Sequence, residues 1–144
     1  MFSKKQSFIA FCIVLLSIAP LTYSTRTQAS ASTEITTQNF KQEVLQSTLP
    51  VILKVSATWC PPCQRLKPLF EQVAETFKGQ CTFASMDFDT NPAFVAQHAI
   101  DSVPTFMIYY QGELILTKPG CPPTKEALEQ FVQEILKQVL KKTA

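Results

Sequence analysis

The sequence predicts an α/β protein in which a central mixed β-sheet is flanked by helices on both faces. Continuous apolar runs at 51–57 and 81–88 are typical of strands that are buried on both faces of a sheet. Segments with the apolar spacing of helices alternate with these runs, and a hairpin and a final helix follow them. The resulting order β-α-β-α-β-α-β-β-α indicates an α/β sandwich, and 144 residues suffice for one such domain.

The first predicted elements are a short strand at 34–36 and a helix after it. Thr37 or Asn39 can act as the N-cap of this helix, because short polar side chains accept hydrogen bonds from the free N–H groups of a first turn. The helix would carry an apolar face of three residues, namely Phe40, Val44 and Leu45.

A second predicted helix follows the first of the two apolar runs. Its apolar residues recur at helical spacing and are Leu66, Leu69, Phe70, Val73 and Phe77. Gly79 predicts the end of this helix, and Pro68 predicts a kink because it removes one backbone donor. After the second apolar run, Asn91 and Pro92 predict a third helix start, with Asn as the N-cap and Pro at the first helical position.

The last third of the chain predicts a β-hairpin and a long amphipathic helix. Residues 105–110 and 113–118 are the strands of the hairpin, and Gln111 and Gly112 form its turn. Thr124 is the predicted N-cap of the last helix. The apolar stripe of that helix comprises Leu128, Phe131, Val132, Ile135, Leu136, Val139 and Leu140.

The first 31 residues are predicted to be an export signal. Two lysines precede an apolar stretch at 8–21, and small residues at 29–31 form an A-x-A cleavage site, with 27–29 as a competing site. The apolar stretch is shorter than the roughly 20 residues of a membrane-spanning helix. We therefore expect a periplasmic or secreted domain at 32–144, with an uncleaved membrane anchor as the weaker alternative.

The charge of the chain gives no indication of a nucleic-acid partner. Three of the 13 Lys and Arg residues lie in the predicted signal, which contains no Asp or Glu. The remaining chain thus has 10 basic residues against 11 acidic ones, a net charge of −1. A balanced domain of this kind lacks the basic excess that binding to phosphate backbones requires.

Four cysteines follow the predicted signal, namely Cys60, Cys63, Cys81 and Cys121. A bridge between Cys60 and Cys63 would close a very small loop and therefore add little stability, which indicates a functional pair. Two cysteines at this spacing also form half of a zinc site, but such a site needs a second pair of ligands. His98, Cys81 and Cys121 are not closely paired, so we expect no metal.

The position of Cys60 predicts a reactive thiol. It lies at the end of a predicted strand and can cap the following helix, whose first two positions are Pro61 and Pro62. The N–H of Cys63 can then donate to the Cys60 sulfur, and this bond and the helix dipole favour the thiolate. Cys60 is the predicted nucleophile, and Cys63, expected to be more buried, is the predicted resolving thiol.

On these residues the chain resembles the thioredoxin family over nearly all of its predicted mature length. The run Ala-Thr-Trp-Cys-Pro-Pro-Cys at 57–63 is similar to the tryptophan-led active-site signature of the family, and Pro68 occupies the position of its helix kink. Val103-Pro104-Thr105 resembles its cis-proline segment. The short spacing between Cys63 and Pro104 leaves no room for the helical insertion of DsbA-type oxidases.

The resemblance implies a thioredoxin fold, a redox-active Cys60–Cys63 disulfide, and thiol–disulfide oxidoreductase activity on protein substrates. It also implies that Trp59 shields the site and that the backbone of Val103, before a cis Pro104, pairs with the substrate chain. Gly120 corresponds to the glycine that allows close approach of a substrate backbone. For each of these residues the alternative is ordinary packing or turn formation.

Lys54 departs from the family pattern, which usually has a buried acid in the central strand, and Ser85 stands where the family has a lysine. A buried, neutral Lys54 could accept the proton of Cys63, whereas a charged Lys54 would stabilise the thiolate and make the pair more oxidising. In a third interpretation the stem of Lys54 packs and its ammonium reaches water.

The two remaining cysteines are expected at opposite ends of the sheet, too far apart to form a disulfide. We expect Cys81 to be a small buried residue. Cys121 follows Gly120 at the active-site end and is hypothesised to be an exposed, reactive thiol. His98 is expected to be solvated.

The function expected from the sequence is reduction of disulfides in exported proteins by a monomer without a cofactor, with electrons from a membrane donor. The alternatives are a disulfide donor or isomerase, and a non-catalytic binding module that uses the surface around Trp59, Val103 and Gly120. Pro61 and Pro62 leave the direction of electron flow open, because it depends on the reduction potential.

Overall fold

A computed structural model describes residues 30–143 as a five-stranded mixed sheet with helices on both faces, which confirms the predicted fold class. The strands are β1 (Thr33–Ile35), β2 (Val51–Ser56), β3 (Thr82–Asp87), β4 (Thr105–Tyr110) and β5 (Glu113–Pro119). The helices are α1 (Pro61–Thr76), α2 (Pro92–Gln97) and α3 (Lys125–Thr143), with one π-helical turn at Lys41–Leu45. Residues 1–29 of the predicted export signal lie outside the described part, which contains no helix long and apolar enough to cross a membrane.

The sheet has the strand order β1-β3-β2-β4-β5. β3 runs parallel to both β1 and β2, whereas β4 is antiparallel to β2 and β5 is antiparallel to β4. β2 therefore lies in the middle of the sheet, and its first five residues are buried. The candidate site begins at the carboxyl end of this central strand.

Two hydrophobic layers cover the sheet, because successive residues of a strand point to opposite faces. Ile52 packs with α1 and α3, in a layer that also contains Leu66, Phe70, Val73, Leu128, Val132 and Ile135. Leu53 packs on the other face with the π-helical turn and α2, in a layer that also contains Val44, Phe94, Val55 and Met107. The continuous apolar run of β2 reflects burial on both faces, as the sequence predicts.

Local signals in the second half of the chain agree with the structure. Gln111 and Gly112 have φ angles of 51° and 80°, which is the pattern of the two-residue turn that suits a twisted hairpin. Thr124 caps α3, and its hydroxyl accepts the N–H of Ala127 at 3.2 Å. The predicted stripe of α3 faces the core through Leu128, Val132, Ile135 and Val139, while the side chain of Leu140 lies outside the described ones.

The predicted caps of the first helix are wrong. The segment forms a single π-helical turn after Phe40, and no side chain caps it. Asn39 instead bonds toward β1, accepting the N–H of Thr36 at 2.8 Å and donating to the carbonyl of Glu34 at 2.9 Å. Asn side chains can bond in either direction along the backbone, and here the preceding segment supplies the partners.

Asn91 is placed correctly at the start of α2, but its side chain does not cap that helix. Its amide donates to the carbonyl of Asp87 at 2.8 Å, and its oxygen accepts the N–H of Thr37 at 3.2 Å. The side chain thus joins the end of β3 to the segment that precedes the π-helical turn. These partners are supplied by the tertiary structure.

Candidate active site

Cys60 and Cys63 form a disulfide at the start of α1. Cys60 has an extended backbone and is the N-cap of the helix, and Pro61 and Pro62 occupy the first two helical positions. The N–H of Cys63 donates to Cys60 Sγ at 3.2 Å. This geometry confirms the predicted cap, and it places one sulfur at the positive end of the helix dipole.

The two cysteines do not differ in burial as predicted. Cys60 is 3% exposed and Cys63 is 4% exposed, so both sulfurs are covered in the disulfide form. Cys60 Sγ lies 3.6 Å from the carbonyl oxygen of Val103, and Phe88 and Val103 pack against the pair. The positions of the two cysteines in α1 predict that Cys63 is the more buried thiol. A separate loop, which contains Val103, also covers Cys60.

That loop contains a cis peptide bond between Val103 and Pro104, as the family resemblance implies. The Thr105 hydroxyl donates to the carbonyl of Ser102 at 2.7 Å, and the N–H of Gly120 donates to the carbonyl of Pro104 at 2.9 Å. These bonds hold the loop against the start of β4 and the end of β5. Within residues 30–143 no acceptor binds the N–H of Val103, so this donor is available to a partner.

Trp59 projects beside the cysteine pair and is 62% exposed. Its indole N–H donates to Asp89 Oδ2 at 2.8 Å, and its ring meets the ring of Phe88 edge-on with centroids 6.5 Å apart. Asp89 thus fixes the orientation of an exposed aromatic side chain. Asp89 was not predictable as a site residue, because no local pattern relates a residue after β3 to one that lies 30 positions earlier.

Lys54 is buried in the middle of β2, where its backbone pairs with Ser85 and Phe106. Its side chain is 3% exposed, and Nζ lies 4.3 Å from the centroid of the Phe70 ring on α1. Burial lowers the pKa of Lys54 to about 8, against the attraction of Glu71. The interpretation in which the ammonium reaches open water is therefore wrong.

The two free cysteines lie near opposite ends of α1. The N–H of Cys81 donates to the carbonyl of Phe77, while Cys121 Sγ lies 3.8 Å from the carbonyl of Pro62. The 16 residues of α1 span about 24 Å, so the structure agrees with the prediction that these cysteines do not pair. Cys81 is buried, as predicted, and burial raises the pKa of its thiol to about 12.

Cys121 and His98 are both less accessible than the sequence analysis expects. Cys121 is half-buried, and burial raises the pKa of its thiol despite the opposing charges of Arg65 and Lys54. His98 packs on Phe94 with ring centroids 4.3 Å apart, and burial lowers the pKa of its imidazole. The expected solvated histidine is thus part of the packing at the end of α2.

Comparisons with known proteins agree with this geometry. The family model described as Thioredoxin matches residues 31–134, which include every residue of the candidate site. Thioredoxin 1 of Nostoc sp. is 35% identical over 107 residues, which cover 74% of this chain and 99% of that protein. The thioredoxin of Rickettsia felis is 35% identical over 101 residues, covering 70% of this chain and 96% of its own. The thioredoxin of Porphyra purpurea is 34% identical over 103 residues, covering 72% and 95%.

Proposed function

The chain belongs to the thioredoxin family of thiol–disulfide oxidoreductases, and from that membership we propose that it reduces disulfides in exported proteins. The observation that carries the proposal is the bond from the N–H of Cys63 to Cys60 Sγ at the start of α1. In the reduced enzyme this donor and the helix dipole favour a Cys60 thiolate. The thiolate is the form of cysteine that attacks a disulfide.

The proposed reaction has two exchanges. The Cys60 thiolate attacks one sulfur of a substrate disulfide, which forms a Cys60–substrate disulfide and releases the other substrate sulfur as a thiolate. Cys63 loses its proton and attacks Cys60 Sγ, which forms the Cys60–Cys63 disulfide and releases the second substrate thiol. The substrate gains two electrons and two protons. A membrane dithiol donor would then reduce the Cys60–Cys63 disulfide by supplying two electrons and two protons.

The proposed substrate surface surrounds the pair. The free N–H of Val103 can donate to an extended substrate backbone, which would add a short strand beside the cis Pro104. Trp59 would cover the mixed disulfide from the other side. Gly120 has a φ of 101°, which favours glycine, and open space lies where a side chain would project, so a substrate backbone can approach here.

Lys54 is proposed to replace the buried acid of the family. With a pKa of about 8, its amine can exist in both protonation states near neutral pH. As the neutral amine it can accept the proton that leaves Cys63, and as the ammonium it stabilises thiolate in the reduced pair. Both roles make the redox equilibrium depend on this one side chain.

The proposed location rests on the N-terminal sequence. Residues 1–31 have the charged start, apolar middle and small-residue end of an export signal. The matched family region begins at residue 31, where this signal would end. We therefore propose that the oxidoreductase acts in the periplasm or outside the cell.

The direction of electron flow is tested by the reduction potential of the Cys60–Cys63 pair, measured in glutathione buffers, together with the redox state of the pair in cells. A reductase should have a potential near the roughly −270 mV of thioredoxin and should be reduced in cells. A potential near the roughly −120 mV of a strong oxidant would instead indicate a disulfide donor. A Cys60→Ser, Cys63→Ser variant that keeps its biological effect would show that the chain acts as a binding module.

A further inference from the structure

Residues 30–32 lie beside α1, where their hydrogen-bond donors contact the carboxylate of Glu71. The Ser32 N–H donates to Glu71 Oε2 at 3.0 Å, and the Ser30 hydroxyl donates to the same oxygen at 2.9 Å. The Ser32 hydroxyl donates to Oε1 of the same carboxylate. Burial acts to raise the pKa of Glu71, but these hydrogen bonds outweigh it and lower the pKa below its usual value. The carboxylate thus stays charged.

The same residues contain the predicted cleavage site of the export signal. Small residues at Ala29 and Ala31 predict hydrolysis of the bond between Ala31 and Ser32. A peptidase of the export machinery would consume one water, leave a carboxylate on Ala31, and leave an ammonium group on the nitrogen of Ser32. That nitrogen is the atom that already lies 3.0 Å from Glu71 Oε2.

We propose that Glu71 is the binding site for the N-terminal ammonium group that processing creates at Ser32. This inference rests on the export part of the proposed function. Cleavage removes one donor, the Ser30 hydroxyl, and the ammonium supplies two N–H groups that the peptide bond lacked. It also adds a positive charge next to a carboxylate that forms no salt bridge within residues 30–143. Hydrogen bonds between two charged groups are stronger than neutral ones.

The position of Glu71 connects this site to the redox centre. Among the charges that act on Lys54, Glu71 has the largest effect, and it favours the protonated amine. An ammonium bound to Glu71 would offset that attraction and favour the neutral amine of Lys54. Processing of the N-terminus would thereby change the proton balance of Lys54 without any change in the fold.

The test uses the full chain, expressed with its signal in a Gram-negative host and purified from the periplasm. The intact mass gives the first residue, and the pH dependence of labelling by acetic anhydride gives the pKa of the N-terminal amine. The variants are Glu71→Gln and, as a control on the same helix, Glu75→Gln. We expect an intact mass that corresponds to a chain beginning at Ser32. At pH 7.5 we expect amine labelling about three- to tenfold slower in the parent and the control than in Glu71→Gln, because a bound ammonium has a raised pKa.

Two results would overturn the inference alone. One is a processed chain that begins at Ser30, and the other is a chain that begins at Ser32 but whose amine labels equally fast with and without Glu71. A chain that keeps its signal would overturn both this inference and the proposed export. A reduction potential typical of an oxidant would change the proposed direction of electron flow and would leave the assignment of Glu71 intact.

Discussion

The Nζ of Lys54 lies 4.3 Å from the centroid of the Phe70 ring. Phe70 belongs to α1, the helix that the cysteine pair begins, and it follows Cys63 by about two turns. A buried cation in the central strand therefore lies beneath the helix whose N-terminus holds the reactive sulfur. The charge of Lys54 and the redox chemistry of the pair are thus expected to influence each other.

Lys54→Met should lower the reduction potential of the Cys60–Cys63 pair. Removal of the cation destabilises thiolate in the reduced form, and an effect of about 0.5 to 1.4 kcal/mol corresponds to roughly 10 to 30 mV. A step near pH 8 in the rate of disulfide reduction should also disappear, since that is the pKa to which burial lowers Lys54. Lys78→Met, at an exposed lysine after α1, is the control. If the variant and the parent agree in potential and pH profile, Lys54 has only a packing role.

The same substitution should stabilise the protein in a pH-dependent way. Because the pKa of Lys54 falls from 10.5 to about 8 on folding, the folded protein binds fewer protons than the unfolded chain between these values. The burial cost is present in full below pH 8 and disappears as the pH rises toward 10.5. The free energy of unfolding of Lys54→Met should therefore exceed that of the parent by up to about 3 kcal/mol at pH 7, and by less at pH 10. Urea denaturation measures both values, and a constant difference would contradict the prediction.

Cys60 should titrate well below an ordinary thiol in the reduced protein. In Cys63→Ser, the N–H of residue 63 still donates to Cys60 Sγ, so the pKa of Cys60 should fall from about 8.5 into the range of roughly 3.5 to 7.5. In Cys60→Ser, the remaining Cys63 lacks this N-terminal position and should titrate higher. The rate of alkylation by iodoacetamide as a function of pH gives both values. The opposite order would reverse the proposed roles of the two thiols.

Asp89→Ala should weaken substrate binding more than the chemical step. The variant loses the 2.8 Å bond that orients Trp59, so the exposed indole would sample several positions. We expect KM for a protein disulfide to rise about two- to fivefold, the loss of a hydrogen bond worth roughly 0.5 to 1 kcal/mol, with kcat nearly unchanged. Asp89→Asn keeps an acceptor and should restore the parent value, and Glu75→Ala, which removes an exposed carboxylate near the end of α1, is the control. An equal fall in kcat would argue against a binding role.

Cys121 should react with iodoacetamide before Cys81 does. Burial raises the pKa of both thiols, but Cys81 is 4% exposed whereas Cys121 is half-buried and experiences the opposing charges of Arg65 and Lys54. With the Cys60–Cys63 disulfide intact, we expect labelling of Cys121 at least about tenfold faster, since only the thiolate reacts. Peptide mass spectrometry at timed intervals measures both rates. Faster labelling of Cys81 would show that the end of α1 opens readily.

Features set by neighbours in the chain were predictable. The cap formed by Cys60, the hairpin turn at Gln111 and Gly112, and the cap formed by Thr124 each depend on residues within three positions. The central strand was recognisable because burial on both faces requires a continuous apolar run. The sequence by itself therefore determines the order of the elements and the identity of the cysteine pair.

Other features depend on partners that are distant in the sequence. Asn39 and Asn91 have the composition of caps, yet tertiary contacts use their side chains elsewhere. Asp89 meets Trp59 across 30 positions, and Ser32 meets Glu71 across 39. No local periodicity encodes such pairs, because they arise only when strands and helices pack.

The cysteine pair and Lys54 show the division most clearly. The sequence places Cys60 at a helix start, but only the loop at Val103 decides that both sulfurs are covered in the disulfide. Lys54 stands in an apolar strand, and the sequence leaves open whether its amine reaches water. The packing of α1 on the sheet decides that the amine is buried, because Phe70 lies over it and leaves the side chain 3% exposed.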